Sequence, residues 1–160
     1  RMRPMSLYES EESNGRVSLK NLFEGKDFEV QENSLTIDDI AFLVCRGGWP
    51  ASISMRREIA LDQALDYIDS VANYDIQRVD GTKRDPQRVY RLLRSYARNI
   101  AGQISYSTFK TDMMSNDTDT LSEDTVADYI KALKRLFVIE DLEAWNPNLR
   151  SKAAIRTSDG

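Results

Sequence analysis

The chain has 160 residues, 41% of them hydrophobic, and a formal net charge of −4, a composition typical of a globular protein with room for one domain and an appendage. Its apolar runs are far shorter than the roughly 20 residues of a transmembrane helix, and no signal-peptide pattern opens it. A single cysteine excludes an internal disulfide, so we expect a cytoplasmic protein.

Charge is distributed unevenly along the chain. Residues 1–82 hold 9 Lys and Arg against 15 Asp and Glu, whereas residues 83–160 hold 13 against 11. Surfaces that bind phosphates need an excess of positive charge. If any part of the chain contacts nucleic acid, we therefore expect it to be the second half.

The first 82 residues predict two segments. Residues 1–34 have weak periodicity and indicate a connector, whose apolar anchors Leu19, Leu22 and Phe23 we expect to dock on another surface. Residues 35–82 indicate a helical segment, with one helix capped by Thr36 or Asp38 and ended by Gly47-Gly48, and a second from about residue 54 to residue 74. Both helices carry apolar residues at helical spacing, which predicts core-facing stripes.

Two residues near the end of the first helix have alternative interpretations. Cys45 lies on the apolar side of its helix, so we expect a buried and unreactive thiol. Trp49, followed by Pro50, makes a rigid apolar projection. It either docks a partner or packs the end of a helix onto the core.

Residues 83–160 predict a winged-helix domain. Asp85-Pro86 starts a helix, Ile104 and Tyr106 suggest a brief strand, and a short helix follows through Met114. A capping box at Thr120 and Glu123 introduces a last helix, residues 122–137, before a probable hairpin over residues 138–156. The order helix, helix, helix, hairpin is typical of a winged helix. The predicted fold is therefore mainly α with a small β-hairpin wing.

Basic residues of this second half are candidates for contact with phosphates. One face of the first predicted helix forms what we call the arginine stripe: Arg84, Arg88, Arg91, Arg94 and Arg98. The stripe either follows a phosphate backbone or is a solvated face that pairs with the acidic first half. Further candidates lie on the last helix and the hairpin: Lys131, Lys134, Arg135, Arg150 and Lys152.

The last helix is poorly suited to reading a DNA sequence. It opens with Glu123 and Asp124, and it offers no Asn, Gln or N-terminal Arg to the edges of bases. We therefore expect any contact with nucleic acid to be made mostly to phosphates.

Several segments together resemble one family, the bacterial and archaeal AAA-type ATPases that carry a C-terminal region of unknown function. The most diagnostic are Arg3-Pro-Met-Ser6 and Arg46-Gly-Gly-Trp-Pro50. The others, in the family's order, are Val17-Ser-Leu-Lys-Asn-Leu-Phe23, Ala97-Arg-Asn99, Thr125-Val126, Tyr129-Ile130, Leu136-Phe-Val-Ile-Glu-Asp-Leu142 and Ala144-Trp-Asn-Pro147.

The resemblance implies that an ATPase module, with its ATP and magnesium, precedes this chain and that a nuclease-like domain follows it. No catalytic, cofactor-binding or metal-binding residue is carried onto a position of this sequence, which also lacks histidine and a glycine-rich phosphate loop. The expected function is a non-catalytic partner-binding or coupling portion of an AAA-type ATP-binding protein. The alternatives are a nucleic-acid-binding winged helix and, least favoured, a self-contained enzyme.

Overall fold

The computed structural model describes residues 3–27, 34–114 and 120–142. Within these ranges the chain forms helices and turns, and no residue lies in a β-strand. The expectation of a mainly helical protein is confirmed. The chain divides into two compact units, Arg1–Ile68 and Asp69–Gly160, called unit 1 and unit 2 below.

The described residues of unit 1 form three helices, the last of which continues two residues past Ile68, and they bury very little core. The helices are α1 (Leu19–Phe23), α2 (Ile37–Arg46) and α3 (Arg57–Ser70), with a 3-10 turn at Pro50–Ser52. Leu43 and Ala60 are the buried hydrophobic residues among the described part of this unit, and Ser10, Arg46 and Ser52 are its buried polar ones. Most of the apolar side chains of unit 1 therefore stay in contact with solvent.

The ends of α2 follow the signals read in the sequence. The Thr36 hydroxyl accepts a hydrogen bond from the Asp39 amide, while the Asp39 carboxylate accepts one from the Thr36 amide, so both unpaired donors are satisfied. Gly47 ends the helix with a φ of 70°, a conformation that residues with a Cβ rarely adopt. The predicted cap at Thr36 and the predicted stop at Gly47-Gly48 are confirmed.

Unit 2 is built on a three-helix core. A π-helical turn (Val71–Asp75) and α4 (Ile76–Arg78) lead into α5 (Pro86–Arg98), α6 (Tyr106–Met113) and α7 (Glu123–Arg135), and α6 packs against both α5 and α7. The buried apolar side chains that fill this core are Ile76, Val89, Leu92, Phe109, Met113, Leu121, Val126, Ile130 and Leu133. Unit 2 thus has the hydrophobic interior that unit 1 lacks.

Three local predictions for the second half are wrong. Tyr106 begins α6 rather than ending a strand, because Ser105 accepts a hydrogen bond from the Thr108 amide and caps the helix. Ser122 caps α7 in the same way, through the Thr125 amide, so Thr120 is not its cap. The last helix was predicted to extend to residue 137, but α7 ends at Arg135, and Phe137 lies beyond it and is 65% exposed.

The predicted hairpin lies mostly outside the described residues. Residues 138–142 are described and are not in a strand; the rest of the hairpin, with Arg150 and Lys152, is not part of the described chain. The predicted domain boundaries at residues 34 and 82 also differ from the junction of the two compact units, since α4 belongs with α5, α6 and α7. No described helix is long and apolar enough to cross a membrane.

Candidate partner-binding surfaces

The two most diagnostic motifs of the sequence lie against each other in unit 1. The Met5 amide donates a hydrogen bond of 2.9 Å to the Gly48 carbonyl oxygen. A Cβ at Gly48 would meet the Met5 carbonyl oxygen and would lie 2.8 Å from the Met5 nitrogen and 2.9 Å from Pro4 Cβ. Glycine is therefore required at this position because the backbone of residues 4–5 approaches it so closely.

Arg46 holds the same junction through an ion pair. Its side chain is 5% exposed, its Nη1 donates to the Glu12 carboxylate and its Nε donates to the Gly47 carbonyl oxygen at 3.2 Å. The hydrogen bond from Arg46 lowers the pKa of Glu12. This guanidinium is buried and paired with a carboxylate, so Arg46 stabilises the local fold and is not exposed to a ligand.

Trp49 combines the two interpretations of the sequence. Its ring packs against Tyr67 of α3, with ring centroids 4.7 Å apart and an interplanar angle of 54°, a geometry that aromatic pairs prefer. It also remains 38% exposed. One side of the ring thus fixes the turn on α3 while part of the indole stays available to solvent.

The anchors of the predicted connector form α1. Leu19, Leu22 and Phe23 are all exposed, and Phe23 is the most exposed of the three at 90%. Their spacing of i, i+3 and i+4 places them on one side of the helix, and α1 has no buried residue. The structure therefore leaves these three side chains available to a partner.

The apolar face of α2 points outward, contrary to the sequence prediction. Ile37 and Val44 are 85% and 77% exposed and Ile40 is also exposed, whereas the inward side buries only Leu43 and Arg46. Cys45 is exposed as well. The prediction of a buried thiol is wrong because it assumed that the apolar side of this helix faces the core.

A groove lies between α2 and α3 and continues this apolar face. The groove is open to solvent and has a volume of about 390 Å³. Its lining residues are Ala41, Phe42, Cys45, Arg57, Glu58 and Leu61. The Arg57 guanidinium lies 4.3 Å from the centre of the Phe42 ring and pairs with Asp39 at 3.2 Å. Both contacts fix Arg57 at the rim of the groove.

The arginine stripe of unit 2 does not form one solvated surface. Arg84 is 2% exposed, and its Nη2 lies 2.9 Å from Asp80 and 2.6 Å from Asp128, while its Nη1 donates to the Ile76 carbonyl oxygen at 3.1 Å. The Arg84 guanidinium holds the pKa of Asp80 well below its usual range. The expectation that Arg84 faces a phosphate is wrong, since this guanidinium is already fully coordinated.

The other arginines of the stripe divide into two kinds. Arg88 is half-buried, and Arg91 donates a 2.9 Å hydrogen bond to the carbonyl oxygen of Met113, the last residue of α6, where a cation is favourable. Arg94 and Arg98 are exposed. Arg94 and Arg98 are therefore the arginines of the stripe that are best placed to bind a phosphate.

The basic residues of α7 are also separated by the structure. Lys131 and Arg135 are exposed on one side of the helix, but Lys134 pairs with Asp141. Asp124 and Asp128 share that side, so the N-terminal half of the face is acidic. Within the described ranges, no group of three or more His, Cys, Asp or Glu side chains is placed to hold a metal ion.

Sequence reasoning found the exposed side chains of α1 but missed the groove. The pairs Glu12–Arg46 and Arg84–Asp128 span 34 and 44 residues, and no local pattern signals such distant partners. Within these two clusters, Asp80 and Arg84 are four residues apart, a spacing from which their pairing could have been predicted.

Comparison with known proteins gives one family. A family model described as "Domain of unknown function (DUF8612)" matches residues 37–159. No curated protein and no solved structure matches the chain. The matched range begins at the first residue of α2, so it includes Gly48 but not Met5, on which Gly48 packs.

Proposed function

Because the chain belongs to the DUF8612 family, whose description names no activity, we propose from its geometry that it is the non-catalytic, partner-binding or coupling portion of an AAA-type ATP-binding protein. The observation that carries this proposal is the outward apolar face of α2, formed by Ile37, Ile40 and Val44. Together with α1 it gives unit 1 an unusual amount of apolar surface for its size.

The energetics favour a partner over a free surface. Covering a side chain such as Ile or Val stabilises a complex by about 1.5–3 kcal/mol, and single exposed apolar residues need no explanation. Three on one face of a ten-residue helix, beside the exposed α1, are not single residues. Covering this face would stabilise a complex by more than burial of Leu43 and Ala60, the two buried hydrophobic residues of the described part of unit 1, stabilises that unit.

The ATPase part of the proposal is supported by the resemblance. The two diagnostic motifs pack together through Met5 and Gly48. One contact therefore explains why both motifs occur in the same chain. An ATPase needs an element that responds to nucleotide-dependent closure and transmits it to a partner. In this proposal ATP and magnesium bind the preceding module, and unit 1 docks on it.

The winged-helix assignment is also part of the proposal. The order of α5, α6 and α7, with α6 packed against both neighbours, supports the three-helix core of such a domain. Residues 138–142 are not in a strand, so the hairpin wing is proposed only for the remainder of the predicted range, residues 143–156. A nuclease-like domain is proposed to follow.

Cys45 offers a direct test, because it is the single cysteine of the chain and is exposed in the groove beside Val44. We expect its alkylation by iodoacetamide to be at least about tenfold slower in the parent protein, with its ATPase module attached, than in this chain alone, since a docked partner restricts access. The rate is measured by mass spectrometry of the peptide that contains Cys45.

The matched control is an Ile100→Cys variant in a Cys45→Ala background. Ile100 is 83% exposed and lies in unit 2, so its reactivity should be the same with and without the module. Equal alkylation rates of Cys45 in both proteins would contradict docking through α2.

Nucleic-acid binding is the second candidate, favoured by Arg94 and Arg98. Both are exposed on α5, and neither is ion-paired with any residue that the structure describes. Guanidinium groups in this state are available to phosphates at little cost. The acidic N-terminal half of α7 and the engagement of Arg84 and Arg91 make this candidate weaker than partner binding.

The candidate is tested by the anisotropy of a fluorescent DNA duplex with the wild-type chain and an Arg94→Glu, Arg98→Glu variant. Binding through this face should weaken at least about tenfold in the variant and fall with added salt. The control is Arg78→Glu, an exposed arginine outside the stripe. No binding at low salt, or equal losses in both variants, would eliminate the arginine stripe as a DNA surface.

A further inference from the structure

The groove between α2 and α3 is part of a wider apolar surface. On α3, Leu61 lines the groove, and Leu65 and Ile68 follow it at i+4 and i+7, both exposed. On α2, Ala41 and Cys45 line the groove and Val44 extends it. The apolar surface is therefore formed by both α2 and α3. Its side chains are spaced along the two helices as in surfaces that bind an amphipathic helix in a groove.

A row of carboxylates runs along one edge of this surface. Glu58, Asp62 and Asp66 are spaced at i, i+4 and i+8 on α3 and all are exposed. No ion pair joins any of the three to another described residue, since Arg57, the nearest cation along the helix, is held by Asp39 and Phe42. Like charges at i, i+4 destabilise a free helix by a few tenths of a kcal/mol each.

The shape and the charge of this surface select one kind of occupant. The open groove suits a row of apolar side chains better than an enclosed small molecule. The carboxylate row favours positive charge at the flank of that occupant, because complementary charges at the rim of an interface set specificity and association rate.

We propose that the α2–α3 groove receives a basic amphipathic helix of the ATPase module on which unit 1 docks. The apolar stripe of that helix lies on Leu61, Leu65 and Val44, and its cations lie along Glu58, Asp62 and Asp66. This inference rests on the proposed partner-binding function and specifies the chemistry of the element that docks. It adds a surface and a charge requirement that the exposed face of α2 alone does not give.

The test uses a fluorescein-labelled peptide of about 18 residues, with leucine at i, i+3, i+4 and i+7 positions and lysine elsewhere. We expect it to bind the full 160-residue chain with a dissociation constant on the order of 10 µM, measured by anisotropy at moderate salt. A leucine and glutamate peptide of the same pattern, and a scrambled leucine and lysine peptide, should bind at least about tenfold more weakly.

Variants of the chain separate the apolar and the electrostatic contributions. Leu65→Asp should weaken binding at least about tenfold, because it places a charge in the centre of the apolar surface. The triple variant Glu58→Gln, Asp62→Asn, Asp66→Asn should weaken it about tenfold and flatten its dependence on salt. All four positions are exposed, so the fold should tolerate these changes.

Two control variants test whether the loss of peptide binding is specific to the groove. Ile100→Asp places the same charge on an exposed apolar residue of unit 2. The second control is the triple variant Glu11→Gln, Asp27→Asn, Glu123→Gln. It removes an equal number of negative charges from exposed positions outside the groove. Both controls should bind the lysine peptide within about twofold of the wild-type chain.

Three results would overturn the inference. The first is equal binding of the lysine and glutamate peptides, and the second is an equal loss of binding in the groove variants and in their controls. The third is self-association of the chain that excludes the peptide, measured by equilibrium sedimentation. Failure of the peptide together with protection of Cys45 in the parent protein would overturn only the chemistry of the docked helix. Failure of Cys45 protection would instead contradict the proposed function.

Discussion

Replacing Gly48 with alanine is expected to lower the stability of the junction between residues 3–12 and the end of α2 by about 3 kcal/mol. The new Cβ would meet the Met5 carbonyl oxygen and lie 2.8 Å from the Met5 nitrogen. Because both neighbours are backbone atoms, no side-chain rotation relieves the contact. The Met5 to Gly48 hydrogen bond and the Glu12–Arg46 pair should be lost together.

The measurement is hydrogen exchange of the Met5 amide, combined with thermal unfolding. We expect exchange at Met5 to become at least about a hundredfold faster, the factor that corresponds to roughly 3 kcal/mol. Gly25→Ala is the matched control, since Gly25 has a φ of 67° but no atom within 4 Å of a Cβ. Gly25→Ala carries a backbone strain of about 1–2 kcal/mol that Gly48, whose φ is not positive, does not have. It creates no steric contact, so exchange at Met5 should stay unchanged in this variant. Unchanged exchange at Met5 in Gly48→Ala would show that the two motifs do not pack as described.

Replacing Arg84 with leucine is expected to have the second large effect, a destabilisation of unit 2 by about 3 kcal/mol. This value is the lower end of the range for removing one partner of a buried ion pair. Asp80 and Asp128 bind the same guanidinium nitrogen and would then face each other without a cation. The Ile76 carbonyl oxygen would lose its donor as well. The partial exposure of both carboxylates limits the loss.

Denaturant unfolding of the two proteins at neutral pH measures this difference. Arg94→Leu is the control, because Arg94 is exposed on the same helix and forms no ion pair with a described residue; its effect should stay within about 0.5 kcal/mol. Equal stability of Arg84→Leu and the wild-type chain would contradict a structural role for this cluster.

The pH dependence of the Arg84 variant provides a second check. The pKa of Asp80 is lowered below 3.8 by the hydrogen bond from Arg84. A carboxyl group whose pKa is lower in the folded state stabilises the fold above its unfolded pKa and loses that contribution as the pH falls. The stability difference between wild type and Arg84→Leu should therefore be full above about pH 4 and shrink as the pH falls below 3.8.

The starts of α2 and α5 were predictable from the sequence, and so was part of the candidate site. Thr36 and Asp85 carry side chains that satisfy amide groups within three residues of their own position, so a short window of sequence contains all the information. Leu19, Leu22 and Phe23 were predicted as anchors that dock on another surface, and their exposure in α1 is compatible with that prediction. The groove, the exposure of Cys45 and the burial of Arg84 were not anticipated.

By itself the sequence determined that the protein is mainly helical and where α2 and α5 begin, because capping and apolar periodicity are local. Only the tertiary structure decided which side of each helix is covered. Leu65, Val44 and Leu133 have the same spacing signal, yet only Leu133 is buried. The reason is that burial depends on a neighbouring element: α7 has α6 beside it, whereas the apolar face of α2 has no covering element among the described residues.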